Sequence, residues 1–384
     1  MLNENVLGLI AKNLDYLNDQ YAFRCTCSEF KSAIDVHIGK CYIDFHINDS
    51  LKSFPSTANM TNLNISSYNQ NIPLNVLFKD LGNQRKHLKS IYIETPYAKL
   101  FPKHLKGCTS LETISLFLSN TKVGKLMSYL PESLKSLSLV YNKKNIKWNT
   151  ERAISLNAIQ CLSITSLNSQ ICINDVLDNF KGIRNTLKSL YVNAHKTTGL
   201  DGISYLTQLK KLAIINVCPD SLCQLNVSHI SNMDSLTVVF LSNQHMNKAI
   251  KHVLKQSIKN VHIVTDIYEE TPVLCLDSGD YIVQTLRITH LFVDPNTFRL
   301  CKYDDKTKLV IDNFYISINN LHLLANIKFK LEIDVLEIGD GEVSFENIGY
   351  IYKVLQYDMI EVNRIIVKSD INSYIRTLTI FNHF

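Results

Sequence analysis

An apolar triplet of the form L-x-x-L-x-L recurs thirteen times between Leu63 and Ile365, at intervals of 22 to 30 residues. Its middle members are Leu63, Ile91, Ile114, Leu137, Leu162, Leu190, Leu212, Val239, Val261, Leu291, Phe314, Leu336 and Ile365. In repeats of this length the triplet predicts a short strand with inward apolar members, and the rest of the unit returns outside as a helix or turn. One unit cannot bury its apolar side alone, so the period predicts stacked repeats that share a parallel sheet.

This pattern resembles the leucine-rich repeat. The resemblance implies an α/β solenoid, here an irregular horseshoe with a parallel sheet on its concave side. The family's Asn, three places after the last apolar member, is present at Asn142 and displaced in several other repeats, so the repeat lengths are uneven. Apolar spacings of three and four residues predict helices on the outer side at 173–180, 247–258, 321–327 and 347–355.

Two or three short helices are predicted before the repeats. Val6, Leu7, Ile10, Leu14 and Leu17 give the first helix a continuous apolar stripe. Further apolar residues, including three aromatic ones, follow a polar break at 18–19. Helices this short cannot bury so much apolar surface among themselves, so part of that surface is expected to face a partner or the first repeat.

These N-terminal residues resemble an F-box, the helical module that docks a substrate receptor onto a Skp-type adaptor of a cullin ubiquitin ligase. The residues that match its pattern are Leu2, Leu7, Ile10, Leu14, Asp19, Arg24, Cys27 and Phe30, whereas Asn3 and Asn5 replace the family's Pro and Glu. The resemblance implies an F-box-like module at 1–38 and a repeat solenoid at 39–384 with a C-terminal cap from about residue 369. The adaptor-binding residues it implies are Leu2, Leu7, Ile10, Leu14, Cys27 and Phe30. The alternative is a repeat scaffold whose N-terminal helices only cap the solenoid.

The same resemblance implies a receptor that works by positioning an unknown protein target rather than by chemistry. The sequence contains no P-loop, G-x-S-x-G, H-E-x-x-H or dinucleotide-binding glycine pattern. His262 and His290 lack a third ligand nearby in the pattern, so no metal is expected. The sequence therefore predicts a non-catalytic protein without cofactors, and it leaves ligase activity to the partners.

Strand alternation predicts which side chains face the target. The residue between the last two apolar members of each triplet is expected to point away from the core. In four consecutive repeats these residues are aromatic or His, and the predicted target-binding residues are Phe240, His262, Phe292, Tyr315 and, earlier in the row, Tyr191. Two alternatives remain: the C-terminal residues 381–384 fold over this row, or the strand alignment differs by one residue.

Charge and cysteines give the remaining expectations. Residues 51–150 hold 14 Lys and Arg against 4 Asp and Glu, whereas residues 265–346 hold 7 against 15. Lys143, Lys144 and Lys147 lie between Tyr141 and Trp148. This cluster favours a weaker alternative, in which the basic first third of the chain binds nucleic acid.

No apolar run is long enough to span a membrane. The ten cysteines lack C-x-x-C pairs, and several, such as Cys161, fall inside triplets, which predicts reduced, buried thiols in a cytoplasmic or nuclear protein.

Overall fold

The computed structural model describes residues 6–7, 10, 13–14, 40–44, 60–66, 74–95, 102–118, 129–141, 156–230, 233–240, 246–264, 283–292, 308–326, 331–339, 349–351, 353, 360–371 and 374–381. The chain divides into two compact units, Met1–His195 and Lys196–Phe384. Within the described ranges, no helix combines the length and the apolar character needed to cross a membrane. The predicted division at residue 38 falls outside the described residues and stays a prediction.

The first unit contains an open parallel sheet whose main strands neighbour one another in chain order. The strands are β1 (Lys40–Asp44), β2 (Asn62–Ser66), β3 (Ser90–Ile93), β4 (Thr113–Leu118), β5 (Ser136–Tyr141), β6 (Cys161–Ser166), the short β7 (Gln170–Cys172) beside β8, and β8 (Ser189–Thr198), which contains the boundary between the units. The helical segments are α1 (Leu74–Leu81), a 3₁₀ helix (Gly82–His87), α2 (Pro102–Leu105), α3 (Ile173–Asn179) and a second 3₁₀ helix (Lys181–Asn185).

The second unit repeats this plan and ends on an antiparallel strand. Its strands are β9 (Lys211–Val217), β10 (Met233–Phe240), β11 (Ile258–Val264), β12 (Thr285–Phe292), β13 (Lys308–Ser317), β14 (Leu331–Gly339), β15 (Ile360–Ile371) and β16 (Tyr374–Phe381). Strands β9 to β15 are parallel neighbours in chain order, and β16 pairs antiparallel with β15. The helical segments are a 3₁₀ helix (Asp201–Tyr205), α4 (Pro219–Leu222), α5 (Met246–Leu254) and a 3₁₀ helix (Ile318–Asn326).

The triplets form the core of the first unit as predicted. The first member precedes the strand, as Leu111 and Leu134 do, and the other two members lie in the strand; all are buried. The middle members Leu63, Ile91, Ile114, Leu137, Leu162 and Leu190 lie opposite one another on successive strands. The predicted stack of parallel strands is therefore confirmed in this unit, in the predicted alignment.

A recurring backbone contact joins several pairs of successive repeats. The carbonyl oxygen two residues before the middle member accepts two N–H groups from the following repeat. At Glu112 the donors are the N–H groups of Lys135 and Ser136, at 2.8 and 2.9 Å, and at Lys210 they are those of Asp234 and Ser235, at 2.8 and 3.1 Å. Because buried backbone groups need partners, this contact helps to fix the alignment of each strand on its neighbour.

In the second unit the predicted triplets are misaligned in five strands. The middle member of β10 is Leu236 rather than Val239, because Leu236 lies opposite both Leu212 and Val261. The next middle members are Leu286, Leu309, Leu331 and Ile360. The predicted Leu291, Phe314, Leu336 and Ile365 do lie opposite one another, but they form a second row five residues further along the strands. From Leu212 onwards the observed middle members recur every 22 to 29 residues, whereas the predicted middle members recur every 22 to 30 residues.

The error has a physical cause in the length of the later strands. In β13 a first buried pair, Leu309 and Ile311, is followed five residues later by a second pair, Phe314 and Ile316. The two residues between the pairs, 312 and 313, are both half-buried, so the alternation shifts by one position there. As a result Ile311, Phe314 and Ile316 reproduce the triplet spacing by themselves. Strands β14 and β15 have the same double arrangement.

The connecting segments are helical where amphipathic spacing predicted it. Helix α3 buries Ile173, Val176 and Leu177, which share one face, and carries Asp175 in its first turn, where the helix dipole favours an acidic side chain. Helix α5 confirms the prediction for 247–258 over Met246–Leu254. The segment predicted at 321–327 is a 3₁₀ helix, Ile318–Asn326. In the segment predicted at 347–355, residues 349–351 and 353 are helical.

Candidate functional site

The side of the sheet opposite the core differs in chemistry between the two units. In the first unit we give the name neutral face to its part on β2 to β6 and β8, because none of those residues is Lys, Arg, Asp or Glu, whereas Lys40 and Asp44 of β1 are paired with Asn62 and Ser66. It consists of Asn62, Asn64, Ser66, Ser90, Tyr92, Thr113, Ser115, Phe117, Ser136, Ser138, Val140, Cys161, Ser163, Thr165, Ser189, Tyr191 and Asn193. The nearest charged residues along these strands lie just beyond the strand ends, as Lys89, Glu94, Glu112 and Lys135 do.

Several basic residues of the first unit lie in the segments that connect its strands. Lys79 is in α1, Arg85 is in the following 3₁₀ helix, and Lys106 follows α2. The Arg85 guanidinium donates to the backbone carbonyls of Gly82 and Lys106, at 2.9 and 3.3 Å, so it joins two successive connecting segments. Among the described residues, these basic side chains of the first third of the chain thus lie in the segments that connect the strands.

Tyr191, one of the predicted target-binding residues, lies on the neutral face in β8. It is opposite Ser163 of β6 and remains 37% exposed. Asn193 donates its side-chain N–H to the Tyr191 hydroxyl oxygen at 3.5 Å. The Tyr191 ring is therefore available to a partner. That it binds one stays a prediction.

The other four predicted target-binding residues, Phe240, His262, Phe292 and Tyr315, do not form one row. His262 lies between Thr237 of β10 and Arg287 of β12. Phe240 lies further along β10, opposite Val217, after an irregularity in the pairing. The prediction that these four residues form one row is therefore wrong, because it rested on Val239 and Leu291 as the middle members of β10 and β12.

The remaining pair keeps its predicted alignment. Phe292 lies opposite Tyr315, five residues beyond Arg287 along β12. The Tyr315 ring is 6.4 Å from the ring of His290, measured between centroids. The five predicted residues are thus distributed over several levels of the sheet, and target binding by any of them stays a prediction.

His262 has a polar and partly buried environment in the second unit. Its Nε2 lies 3.2 Å from the Thr289 Oγ1. Burial lowers the pKa of His262, and the positive charge of Arg287 lowers it further, while Asp312 opposes these effects. In turn, the Nε and one terminal nitrogen of Arg287 both contact the same Asp312 carboxylate oxygen, each at a distance of 2.8 Å.

The lowered pKa gives a prediction for stability. The folded chain holds His262 neutral, so the stabilising contribution of the neutral ring is complete above its ordinary pKa of 6.5. It is lost as the pH falls from there towards the lowered pKa, because the unfolded chain takes up the proton first. Urea unfolding of the parent and of His262→Gln is expected to show a steeper loss of stability in the parent below pH 6.5. Parallel pH curves for the two proteins would contradict the prediction.

The face of the second unit is charged, and its charges are distributed unevenly. Lys308 and Glu332 form an ion pair, and Asn363 donates a hydrogen bond to the Asp334 carboxylate at 3.3 Å. Glu361 on β15 is exposed. The described acidic residues of this face thus lie mainly on β13 to β15, and those of β13 and β14 agree with the acidic composition of 265–346.

The N-terminal module is described at five positions only. Leu7 is buried, with 2% of its surface exposed, whereas the adjacent Val6 is 42% exposed. Ile10 and Leu14 are half-buried, and the Asn13 N–H donates to the Ile10 carbonyl at 3.0 Å. The predicted adaptor-binding residues Leu2, Cys27 and Phe30, together with Asp19 and Arg24, lie outside the described residues.

The structure tests part of the nucleic-acid alternative. Tyr141, one of the two aromatic residues beside the lysine cluster, is 2% exposed at the end of β5, and burial raises the pKa of its hydroxyl. A buried ring cannot stack on a base, so the expectation that Tyr141 contributes to such a site is wrong. Lys143, Lys144, Lys147 and Trp148 lie outside the described residues.

The thiols and possible metal ligands complete the site survey. The cysteines described as free are Cys108, Cys161, Cys172, Cys218 and Cys223. Cys108 is buried as predicted, and burial raises the pKa of its thiol to about 11. Cys161 is exposed, contrary to prediction, because it lies one residue before the buried Leu162 and so faces away from the core. In the part of the chain that the structure describes, no three His, Cys, Asp or Glu side chains group to hold a metal ion.

No protein-family model matches this chain, and no curated protein matches it. Among solved structures, the chain is similar to one chain of "Crystal structure of Rad7 and Elc1 complex in yeast", with 14% sequence identity and a TM-score of 0.40. That similarity covers 94% of this chain and 92% of the other.

Proposed function

We propose that this chain is a non-catalytic substrate receptor of a cullin-type ubiquitin ligase. Its N-terminal residues 1–38 would dock on a Skp-type adaptor and through it on the cullin, and its repeats would bind a protein target in the cytoplasm or nucleus. The observation that carries this proposal is an F-box-like pattern, Leu7, Ile10 and Leu14 among its residues, followed directly by stacked repeats.

Such a receptor acts through proximity. A target held on a stiff array of strands stays within reach of a ubiquitin-charged enzyme, and the rate of transfer then depends on local concentration and orientation. No side chain of the receptor has to react, and none has to hold a cofactor. The repeats suit this role because their open sheet leaves one side available to a partner over many strands.

A second candidate is a repeat scaffold whose N-terminal helices only cover the first repeat. The burial of Leu7 within the chain favours this candidate, since a covering helix places its apolar side against the core. An adaptor-binding helix would instead keep part of its apolar stripe accessible. The partial exposure of Ile10 and Leu14 makes these two residues the ones that distinguish the candidates.

Binding to a purified Skp-type adaptor tests the proposal. The variant Ile10→Asp with Leu14→Asp is expected to bind the adaptor about tenfold or more weakly than the parent, because two charges would be buried in an apolar contact. Asn13→Asp adds a charge at an exposed turn position between these two residues and should bind like the parent. Thermal unfolding of all three proteins checks that the fold persists. No adaptor binding by the intact parent chain would favour the scaffold instead.

A further inference from the structure

The neutral face stands out because its surroundings are strongly charged. Residues 51–150 carry 14 Lys and Arg, yet the strand positions of β2 to β6 that face away from the core carry none. Uncharged side chains on a solvent-facing sheet have no advantage for solubility. They do lower the cost of covering the sheet, because a buried charge that lacks a partner is expensive to desolvate.

The residue types of the neutral face suit recognition of a protein surface. Ser, Asn and Tyr predominate, and these are the residues that antibody paratopes favour. Tyr supplies a large contact area with few rotatable bonds, and Ser and Asn both donate and accept hydrogen bonds. Tyr92 and Tyr191 lie on β3 and β8, with Ser115, Ser138 and Ser163 between them in the same row. The arrangement is thus a row of small hydroxyl groups between two tyrosines.

A further observation indicates what the partner is. Charged residues lie at the strand ends, as Lys89 and Lys135 do, which resembles an interface with an uncharged centre and a polar rim. A nucleic acid is a poor fit for this face, because its phosphates require cations at the contact.

We infer that the neutral face is the target-binding surface and that it takes an uncharged segment of a protein, rich in polar and aromatic side chains. This inference rests on the proposed function and assigns the target site to the first unit rather than to Phe240, His262, Phe292 and Tyr315 of the second. Binding there should depend little on salt, because no ion pairs form across the contact.

The test uses short random peptides displayed in a library and selected on the intact chain. The recovered peptides are expected to be poor in charged residues. Ser138→Arg and Ser138→Asp should each weaken their binding by about tenfold or more, because a charge of either sign loses its water when the peptide covers it. Ser138→Thr, which keeps the hydroxyl, should bind like the parent. Val310→Arg, on a solvent-facing position of β13, is the matched control in the second unit and should have no effect.

Several results would overturn the inference. These are recovery of no peptide, opposite effects of Ser138→Arg and Ser138→Asp, or loss of binding in Val310→Arg alone. Self-association of the parent chain, abolished by the same Ser138 substitutions in sedimentation experiments, would show that a second copy covers the face instead. Substitutions at Ser163, the neighbour of Ser138, replace those at Ser138 if a changed chain fails to fold. Adaptor binding should be unchanged in every Ser138 variant, so failure here is separate from failure of the proposed ligase role.

Discussion

Replacing Phe314 with Ala is expected to lower the free energy of unfolding by about 3–5 kcal/mol, the usual cost of removing a fully buried ring. Phe314 has no exposed surface and lies in the second buried pair of β13, opposite Leu336 of β14. Neighbouring side chains can fill only part of the space, because the strands on both sides hold them in place. Urea unfolding followed by circular dichroism measures the loss.

Tyr315→Ala is the matched control for Phe314→Ala. It removes a ring of similar size from the next residue, which is half-buried on the opposite side of the sheet. We expect it to cost about 1 kcal/mol, since a half-buried side chain loses less area from water than a buried one. Equal losses in the two variants would show that the second buried pair of the long strands does not contribute as described.

Leu236→Ala is the second substitution with a large expected effect, about 2–5 kcal/mol. Leu236 is fully buried and occupies the middle position between Leu212 and Val261. The adjacent valines offer a stricter comparison, because the same substitution can be made at both. Val238→Ala should cost about 2 kcal/mol, and Val239→Ala well under that, since Val238 is buried and Val239 is half-buried. A larger loss in Val239→Ala than in Val238→Ala would support the alignment that the triplet pattern predicted.

The sequence was a sufficient guide to the first unit because the buried apolar residues of its strands follow one regular alternation. In β2 to β6 and β8 they occupy every second position without a break, so an apolar residue three places before the first of them identifies the triplet without ambiguity, as Leu134 does for Leu137 and Leu139. Once the middle member is known, the residues on either side of it in the strand are those that face away from the core. The neutral face could therefore be read from the sequence, and only its lack of charge was overlooked.

The strand alignment of the second unit could not be predicted from the sequence, because β13 to β15 are long enough to contain two pairs of buried residues. Residues 311, 314 and 316 satisfy the triplet as well as any true one, and a local pattern cannot choose between them and the pair at 309 and 311. The available signal was the pair of buried residues Met233 and Val283, which precede Leu236 and Leu286 by three places. Pairing between strands, which depends on distant parts of the chain, made the choice.

Cys161 and Tyr141 show a second limit of pattern reading. Both belong to strands whose position is predicted well, yet one side chain is exposed and the other is buried. Their burial depends on which side of the sheet they occupy and on what lies beyond the strand end. A shift of one position along the strand moves a side chain to the other side of the sheet, so residue type alone predicts burial poorly.

Crosslinking of paired cysteines tests most directly the alignment of strands on which the whole account depends. Thr237 and His262 are opposite residues of neighbouring parallel strands, which lie about 4.8 Å apart. Cysteines at both positions are therefore within the range of a disulfide. Phe240 lies three residues further along β10, roughly 10 Å away along the strand. After mild oxidation and peptide mass spectrometry, with the parent chain as the control for native thiols, we expect a crosslink in Thr237→Cys with His262→Cys and none in Phe240→Cys with His262→Cys. A crosslink in the second pair alone would contradict the account.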